Sequence, residues 1–374
     1  MRVVVAIDSF KGSLSSVEAG SAVKDAVLSL DNKAEVIVRP LADGGEGTVE
    51  AMSETGRTET VSVCGPLGAK VEAKYAITAD NTAVIEMSAA AGITLISEKE
   101  RNPMKTTTFG VGEIIKDAIQ KGCRNFIVGI GGSATNDGGI GMLSALGFEF
   151  LDKEGKAVGI NGAALENIAQ IRNENVIEQL KDCTFNIACD VTNTLCGENG
   201  CSAVYGPQKG ATPDDIEKMD KWLKNYADIA ATVSKTADKN KAGVGAAGGL
   251  GFAFLAFTNA TLKSGIEIIL EQTRLEDYIK DADIVVTGEG RLDSQTVMGK
   301  APIGVAKLAK KYDKRVIAFS GCVTEDAEVI NEHGIDAFFP VLRGVVTLEE
   351  ALKKENAYKN LTATAKQVFR LIIK

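Results

Sequence analysis

The sequence has one histidine, one tryptophan and only 7 prolines among its 374 residues. A Ser-His-Asp hydrolase would have to use His333, and the chain also lacks the G-x-S-x-G turn that presents a nucleophilic serine. His333 follows a predicted helix in the segment NEHGID, where an imidazole is typical of a helix end. Histidine-based catalysis is therefore not expected, and proton transfer would fall to a carboxylate.

The seven cysteines contain no C-x-x-C pair, so the pattern favours neither a disulfide framework nor a zinc site. No G-x-x-x-x-G-K-[ST] segment is present, which excludes a P-loop enzyme. Lys and Arg total 42 against 50 Asp and Glu, and the net charge of −8 argues against a nucleic-acid partner. A bound anion would have to be held by a few placed cations and backbone amides.

Long hydrophobic runs are also scarce. The first apolar run ends before Asp8 and is too short for a secretory signal. Residues 242–262 carry no charge, but their five glycines make a poor membrane-spanning helix. We therefore expect no membrane association, and we predict a cytoplasmic protein with reduced thiols.

What the chain does contain is enough apolar sequence to fold throughout, with 45% hydrophobic and 25% charged residues. The near-continuous apolar segments VVVAID and EVIV predict parallel strands buried on both faces, and the same texture returns at Ala282. Between them, TETVSVCG, KVEAKYAITA and TAVIEMSA alternate apolar and polar residues, which predicts antiparallel strands. We predict one α/β domain of residues 1–59 and 283–374, interrupted by a second domain of residues 60–282.

Two helix starts are marked in the sequence. Ser15 followed by Glu18 forms a capping-box pattern. Thr212 followed by Pro213 and two acidic residues combines a helix cap, a first-turn proline and favourable first-turn charge.

Polar and glycine-rich segments follow the predicted strands at residues 8–13, 43–48, 131–139 and 288–293. In open parallel sheets, ligands bind beyond the carboxyl ends of the strands. Glycines there let backbone amides approach an anion, so these segments favour phosphate binding. The acids near strand ends and the cations Lys11, Lys209, Arg291 and Lys300 fit magnesium and phosphate chemistry.

The strongest of these segments is GGSATNDGG, residues 131–139. One interpretation is a phosphate-binding loop, and the other is a tight turn whose Ser or Asp only caps the following helix. A second glycine cluster, with Gly243, Gly245 and Gly248 spaced as G-x-G-x-x-G, follows the polar segment KTADKNK rather than a strand. It fails the Rossmann context, so we interpret it as a close backbone packing site or a wall of a ligand cleft.

Seven collinear segments resemble the bacterial-type glycerate kinases. They are AIDSFKGSLSS (6–16), RPLADGGEGT (39–48), GIGGSATNDGGIGMLSALG (129–147), ACDVTN (188–193), YGPQKGA (205–211), GAAGGLG (245–251) and VVTGEGRLDSQTVMGKAP (285–302). The resemblance implies ATP-dependent phosphorylation of D-glycerate with Mg2+, usually at the 2-hydroxyl. It also implies a flavodoxin-like α/β domain interrupted by a restriction-endonuclease-like α/β domain, with the active cleft between them. The expected partners are D-glycerate and ATP, and a homodimer is left open.

Phosphoryl transfer requires an in-line hydroxyl, neutralised phosphate oxygens and a carboxylate near the attacking group. Asp43 is the first candidate for that carboxylate and Asp190 the second, while Lys11 and Arg291 would bind the glycerate carboxylate or the transferred phosphate. Glu289 and Asp293 are the magnesium candidates. The remaining candidates for substrate or phosphate binding are Ser9, Gly44, Gly45, Gly131, Gly132, Ser133, Asn136, Asp137, Asn193, Lys209 and Gly288.

Three alternatives remain open on the sequence alone. A kinase for another small hydroxy acid would use the same loops. A non-catalytic hydroxy-acid sensor would not need so many carboxylates. A nicotinamide oxidoreductase is disfavoured, since no dinucleotide fingerprint follows the first strand.

Overall fold

The computed structural model describes residues 1–41 and 56–373. Within them the strands are β1 Arg2–Val5, β2 Glu35–Val38, β3 Arg57–Cys64, β4 Lys70–Ile77, β5 Thr82–Glu86, β6 Asn125–Gly129, β7 Glu149–Leu151, β8 Gln170–Arg172, β9 Thr184–Ala188, β10 Ala260–Lys263, β11 Ile284–Leu292, β12 Arg315–Val323 and β13 Ala337–Pro340.

The α-helices of the same residues are α1 Ser16–Leu28, α2 Ser88–Ala91, α3 Phe109–Gln120, α4 Ile140–Ala145, α5 Cys201–Tyr205, α6 Pro213–Val233, α7 Ala246–Phe257, α8 Gly265–Gln272, α9 Leu275–Ile279, α10 Ala301–Lys310, α11 Leu348–Leu352 and α12 Lys354–Ile372. Short 3-10 helices cover Ile93–Leu95, Glu98–Glu100, Gly162–Asn167, Glu178–Asp182, Pro207–Lys209, Ser294–Met298 and Glu325–His333.

The chain divides into two compact units. Residues 1–41 and 266–373 form the first unit, and residues 56–265 form the second. Helices α8 and α9 therefore lie in the first unit, although the predicted boundary fell at residue 282. Tyr312 donates a hydrogen bond of 2.6 Å to Glu276 of α9, and Gly304 of α10 leaves room for the Ile266 side chain of α8. Contacts between residues so far apart in the chain cannot be predicted from the local pattern of apolar and polar residues.

The first unit is built on a five-stranded sheet in the order β13-β12-β11-β1-β2. All neighbours are parallel, which confirms the prediction from the continuous apolar segments. Fully buried side chains such as Val5, Val286 and Phe319 form its core. The segment that follows β1 continues beside the middle of β11, where the Asp8 amide donates to the Gly288 carbonyl at 2.9 Å.

The helix that follows β1 confirms the predicted capping box. The Glu18 amide donates to the Ser15 hydroxyl at 3.3 Å, and the Ser15 amide donates to the Glu18 carboxylate at 3.0 Å. Helix α12 packs beside α1, where Tyr358 donates a hydrogen bond of 2.7 Å to Asp25.

The second unit contains a mixed six-stranded sheet in the order β10-β9-β6-β5-β4-β3. The pairs β3/β4 and β4/β5 are antiparallel, as the alternating segments predict. Strands β5, β6, β9 and β10 are parallel, so the segments after β6 and β9 leave the same edge of the sheet. The fold is thus mixed α/β, with parallel strands in the sheets of both units. The flavodoxin-like and restriction-endonuclease-like assignments stay predictions.

The uncharged stretch 242–262 folds inside the second unit. Its helix α7 is buried on all sides, with Leu250, Phe252 and Phe254 fully enclosed. No helix within residues 1–41 and 56–373 has the length and apolar character needed to cross a membrane.

Candidate active site

The segment after β6, residues 131–139, begins with exposed backbone. Gly131 and Gly132 are exposed, and a Cβ on Gly131 would meet no atom within 4 Å. Among the hydrogen bonds of the described residues, the amides of Gly131, Gly132 and Ser133 donate to no acceptor. Three consecutive free amides beside open space form the kind of concavity that binds anions.

A buried lysine lies behind this loop. Lys209 is 2% exposed, and its ammonium donates to the Ser133 hydroxyl at 2.8 Å and to the Thr135 carbonyl at 2.7 Å. Burial lowers the pKa of Lys209 to about 8, against the smaller opposing effects of Cys201 and Asp137. The sequence predicted Lys209 as a loop cation for phosphate or a substrate carboxylate, and the structure shows that it is enclosed by packing.

Replacing Lys209 by methionine is expected to change how the free energy of unfolding depends on pH. The pKa of Lys209 is about 8 when folded, whereas an exposed lysine has about 10.5. Between these values the unfolded chain binds more protons, so the contribution of Lys209 to stability rises with pH. Chemical denaturation measures the free energy of unfolding of both proteins at pH 7 and pH 10. The stability of the unchanged protein relative to the variant should be higher at pH 10 than at pH 7.

Lys221→Met is the matched control for this measurement. Lys221 lies on the exposed side of α6, where it pairs with Glu217 at 2.7 Å. Its replacement removes an exposed charge rather than a buried one. The stability difference between this variant and the unchanged protein should therefore be the same at pH 7 and pH 10. An equal change in both variants would contradict the assignment to burial.

Asp137 is a capping residue of the loop. Its carboxylate is fully buried and accepts hydrogen bonds from the Thr108 amide at 2.7 Å, the Thr108 hydroxyl at 2.8 Å and the Gly139 amide at 3.0 Å. Burial raises its pKa, and the Thr108 and glycine amides oppose that rise. Asp137 therefore binds the backbone at the start of helix α4, and its predicted contact with substrate or phosphate stays a prediction. Helix α4 is only six residues long, so the dipole at its start is weak.

Asn136 is likewise enclosed. Its side-chain amide donates to the Ser202 hydroxyl at 2.8 Å, while its carbonyl oxygen is buried without a partner. Its geometry fits support of the loop, and the predicted contact with phosphate stays a prediction.

The second glycine cluster packs against the same loop. Ala247, Gly248 and Gly249 all have positive φ, and regular helix begins only after them in α7. A Cβ on Gly248 would lie 2.1 Å from the Thr135 carbonyl oxygen, and the Gly138 amide donates to the Gly248 carbonyl at 2.9 Å. The interpretation of this cluster as a close backbone packing site is confirmed.

The segment after β9 carries two further candidates. Asp190 is exposed, and its carboxylate accepts a hydrogen bond of 3.0 Å from the Gly265 amide. Asn193 accepts from the Tyr205 hydroxyl at 2.6 Å and donates to the Asn199 carbonyl at 3.0 Å. Asp190 therefore remains accessible to a ligand, whereas both ends of the Asn193 amide hold the loop.

In the first unit, Glu289 and Asp293 converge on Lys300. The Lys300 ammonium lies 3.9 Å from the Glu289 carboxylate and 3.5 Å from that of Asp293. The buried Thr296 hydroxyl donates to Glu289 at 2.9 Å. Burial raises the pKa of Glu289 to about 7, and Asp8 and Asp293 add to that rise, while Lys300 and Thr296 lower it.

These two carboxylates fit a magnesium ion that is shared with phosphate. Magnesium usually binds one or two carboxylates and takes its other ligands from phosphates and water. Their side chains are 13% and 15% exposed, so both reach solvent. Within residues 1–41 and 56–373, no group of three or more His, Cys, Asp or Glu could hold a metal by itself. Phosphate oxygens and water are the further ligands that such an ion ordinarily takes.

The remaining candidates of the first unit lie at the same sheet edge. Arg291 is mostly exposed and lies 3.3 Å from Asp293, and Lys11 is also exposed. The Ser9 amide donates to the Asp8 carboxylate at 2.6 Å. Gly288 packs closely against β12, since a Cβ there would lie 2.0 Å from the Phe319 carbonyl oxygen. Asp43, Gly44 and Gly45 lie outside the described residues.

Sequence reasoning missed the residues that fix the loops. Thr106 donates to the Ala134 carbonyl at 3.0 Å, and Thr108 binds Asp137. Thr296 anchors Glu289 in the first unit. The polar triplet Thr106-Thr107-Thr108, buried in the structure, is the one local signal that could have pointed to a structural role.

Comparisons with known proteins give one consistent result. The model of the glycerate kinase family matches residues 3–373. The chain is 45% identical to a glycerate kinase of Haemophilus influenzae over 100% of this chain and 99% of that protein, and 46% identical to a glycerate 2-kinase of Escherichia coli over 98% and 97%. A crystal structure assigned as glycerate kinase 2 from Salmonella typhimurium LT2 superposes with a TM-score of 0.91 at 46% identity, covering 100% of this chain and 98% of that one.

Proposed function

Because the chain belongs to the glycerate kinase family, an enzyme family whose kinase activity implies ATP as phosphate donor, we propose that it phosphorylates the 2-hydroxyl of D-glycerate. Transfer to the 2-hydroxyl is supported by the similarity to the Escherichia coli glycerate 2-kinase. Magnesium, a homodimer, the cytoplasmic location and the inter-domain cleft stay predictions.

The anion loop, defined as Gly131, Gly132 and Ser133 with Lys209 behind them, is the observation that carries this proposal. It combines three free amides, one hydroxyl and one buried ammonium. Kinase catalysis consists mostly of positioning and of neutralising phosphate oxygens, which these groups are suited to do. A phosphate or a carboxylate held there would receive several donors without needing a metal contact.

The first unit supplies the carboxylates for a metal. Glu289 and Asp293 would hold Mg2+, which supplies neutralisation of phosphate charge when bound. Lys300 keeps the two carboxylates together, and Thr296 fixes the orientation of Glu289. Arg291 and Lys11 are exposed cations at the same edge, suited to an anionic substrate group.

The acceptor of the hydroxyl proton is proposed to be Asp43, with Asp190 second. Asp190 is exposed to solvent, and its carboxylate is oriented by the Gly265 amide. Replacing either residue by asparagine preserves size and removes the base, so the variant that loses turnover while still binding substrate identifies the acceptor.

ATP consumption with D-glycerate and magnesium, followed by phosphorus NMR of the product, tests the proposed function. We expect 2-phosphoglycerate. A 3-phosphate product would contradict the proposed regiochemistry and keep the kinase activity. Folded protein that consumes no ATP with D-glycerate would contradict the proposed function.

A further inference from the structure

We infer that Lys209 is a positioning residue, which holds the Ser133 hydroxyl so that the Ser133 proton is directed to a bound anion. The Lys209 ammonium also contributes positive charge from behind Ser133. The inference rests on the proposed function, because it specifies how the anion loop would hold a phosphate or a carboxylate. It replaces the predicted direct contact between Lys209 and the ligand.

Burial separates Lys209 from any ligand that enters from solvent. The residue is 2% exposed, whereas Gly131 and Gly132 in front of it are exposed. The Lys209 ammonium is already bonded to Ser133 and to the Thr135 carbonyl. An incoming anion therefore meets the exposed backbone of Gly131 and Gly132 first, and Ser133, which is 8% exposed, lies between that backbone and Lys209.

The chemistry of the donors fixes the direction of the Ser133 proton. An ammonium group has donors only, so the Ser133 oxygen must accept in the 2.8 Å hydrogen bond with Lys209. The hydroxyl proton of Ser133 then points to a different acceptor. Within residues 1–41 and 56–373 the Gly131, Gly132 and Ser133 amides also have no acceptor, so one anionic oxygen group would satisfy all four donors.

The charge of Lys209 has no close counterion among residues 56–265. Asp137 acts on it only through space, and the Asp137 oxygens are occupied by Thr108 and Gly139. The other titratable group that acts on Lys209 is the buried thiol of Cys201 on α5, whose pKa burial raises to about 12. A buried cation without an ion-pair partner is costly, and a bound anion would relieve that cost.

The anion itself comes from one of two substrates of the proposed reaction. The shared chemistry is an anionic oxygen group, supplied either by the phosphates of ATP or by the carboxylate of D-glycerate. Separate titration of ATP and of D-glycerate distinguishes the two sources, because only the KM of the substrate held at this loop should respond.

The test is a double-mutant cycle on Lys209→Met and Ser133→Ala, with Lys221→Met as the control. We expect each single variant to raise the KM of one and the same substrate about 10–100-fold with a smaller change in kcat. If Lys209 acts through Ser133, the effect of the double variant on KM should fall well short of the product of the two single effects and should lie near that of Ser133→Ala alone. Multiplicative effects, or an unchanged KM for both substrates, would overturn the inference.

Two further measurements keep the test independent of folding and of turnover. If Lys209→Met does not fold, the KM of the unchanged protein and of Ser133→Ala is measured across pH 7 to 9. The unchanged protein should lose more affinity than Ser133→Ala as Lys209 is neutralised, because only it also loses the orientation of the Ser133 hydroxyl. If no kinase activity is found, equilibrium binding of inorganic phosphate and ATP by calorimetry still applies. Equal binding by unchanged protein and Ser133→Ala would then contradict the inference separately from the function.

Discussion

Replacing Glu289 by glutamine is expected to lower kcat at least about 100-fold while the protein stays folded. The carboxylate of Glu289 receives the Thr296 hydroxyl and attracts the Lys300 ammonium. Glutamine keeps the shape but not the charge, so it can neither retain Lys300 nor bind a magnesium ion with similar strength. Steady-state kinetics at saturating ATP and D-glycerate, with magnesium varied, measures the effect.

The free energy of unfolding of Glu289→Gln should not fall together with its kcat. Burial raises the pKa of Glu289, which means that the folded protein disfavours the charged form. A neutral amide at this position should therefore leave the free energy of unfolding unchanged or higher near pH 8. Glu332→Gln is the control, since Glu332 is exposed on the 3-10 helix Glu325–His333. Turnover by Glu289→Gln equal to that of the control would refute the assignment.

Replacing Gly248 by alanine is expected to lower the free energy of unfolding by about 2–5 kcal/mol. Gly248 has φ +66, and the new Cβ would lie 2.1 Å from the Thr135 carbonyl oxygen. That oxygen belongs to backbone and accepts the hydrogen bond from Lys209, so it cannot move without disturbing the anion loop. Chemical denaturation followed by circular dichroism gives the stability, and KM values report the loop.

Gly155→Ala separates the two contributions to this loss. Gly155 has φ +77, but a Cβ there would meet no atom within 4 Å. Its replacement should cost only the conformational strain of about 1–2 kcal/mol and leave both KM values unchanged. A Gly248→Ala protein as stable as Gly155→Ala would show that the close approach to Thr135 does not constrain the loop.

Features with a local physical cause could be predicted from the sequence. The capping box of Ser15 and Glu18 depends on residues three positions apart, and the parallel sheet of the first unit depends on continuous apolar strands. The antiparallel pairing of β3, β4 and β5 follows from alternation within each strand. The glycine loop 131–139 was found because its composition is itself unusual.

The direction of side chains within that loop could not be predicted. Asp137 binds Thr108, which lies 29 residues earlier in the chain, so its capping role depends on tertiary packing. Lys209 is separated from Ser133 by 76 residues, and nothing local distinguishes it from an exposed loop lysine. The same limit explains why the boundary predicted at residue 282 differs from the division of the structure after residue 265.

The split origin of the first unit also determines the order in which the chain can fold during synthesis. Strand β1 pairs with both β2 and β11, since Val3 lies beside Val36 and beside Ile284. Translation at about 5–20 residues per second leaves an interval on the order of 15–60 s between β1 and β11. During this interval the β11 edge of β1 has no native partner, whereas residues 56–265 are continuous and can form their own core. The nascent chain is thus most exposed to aggregation and to chaperone capture before β11 emerges from the ribosome.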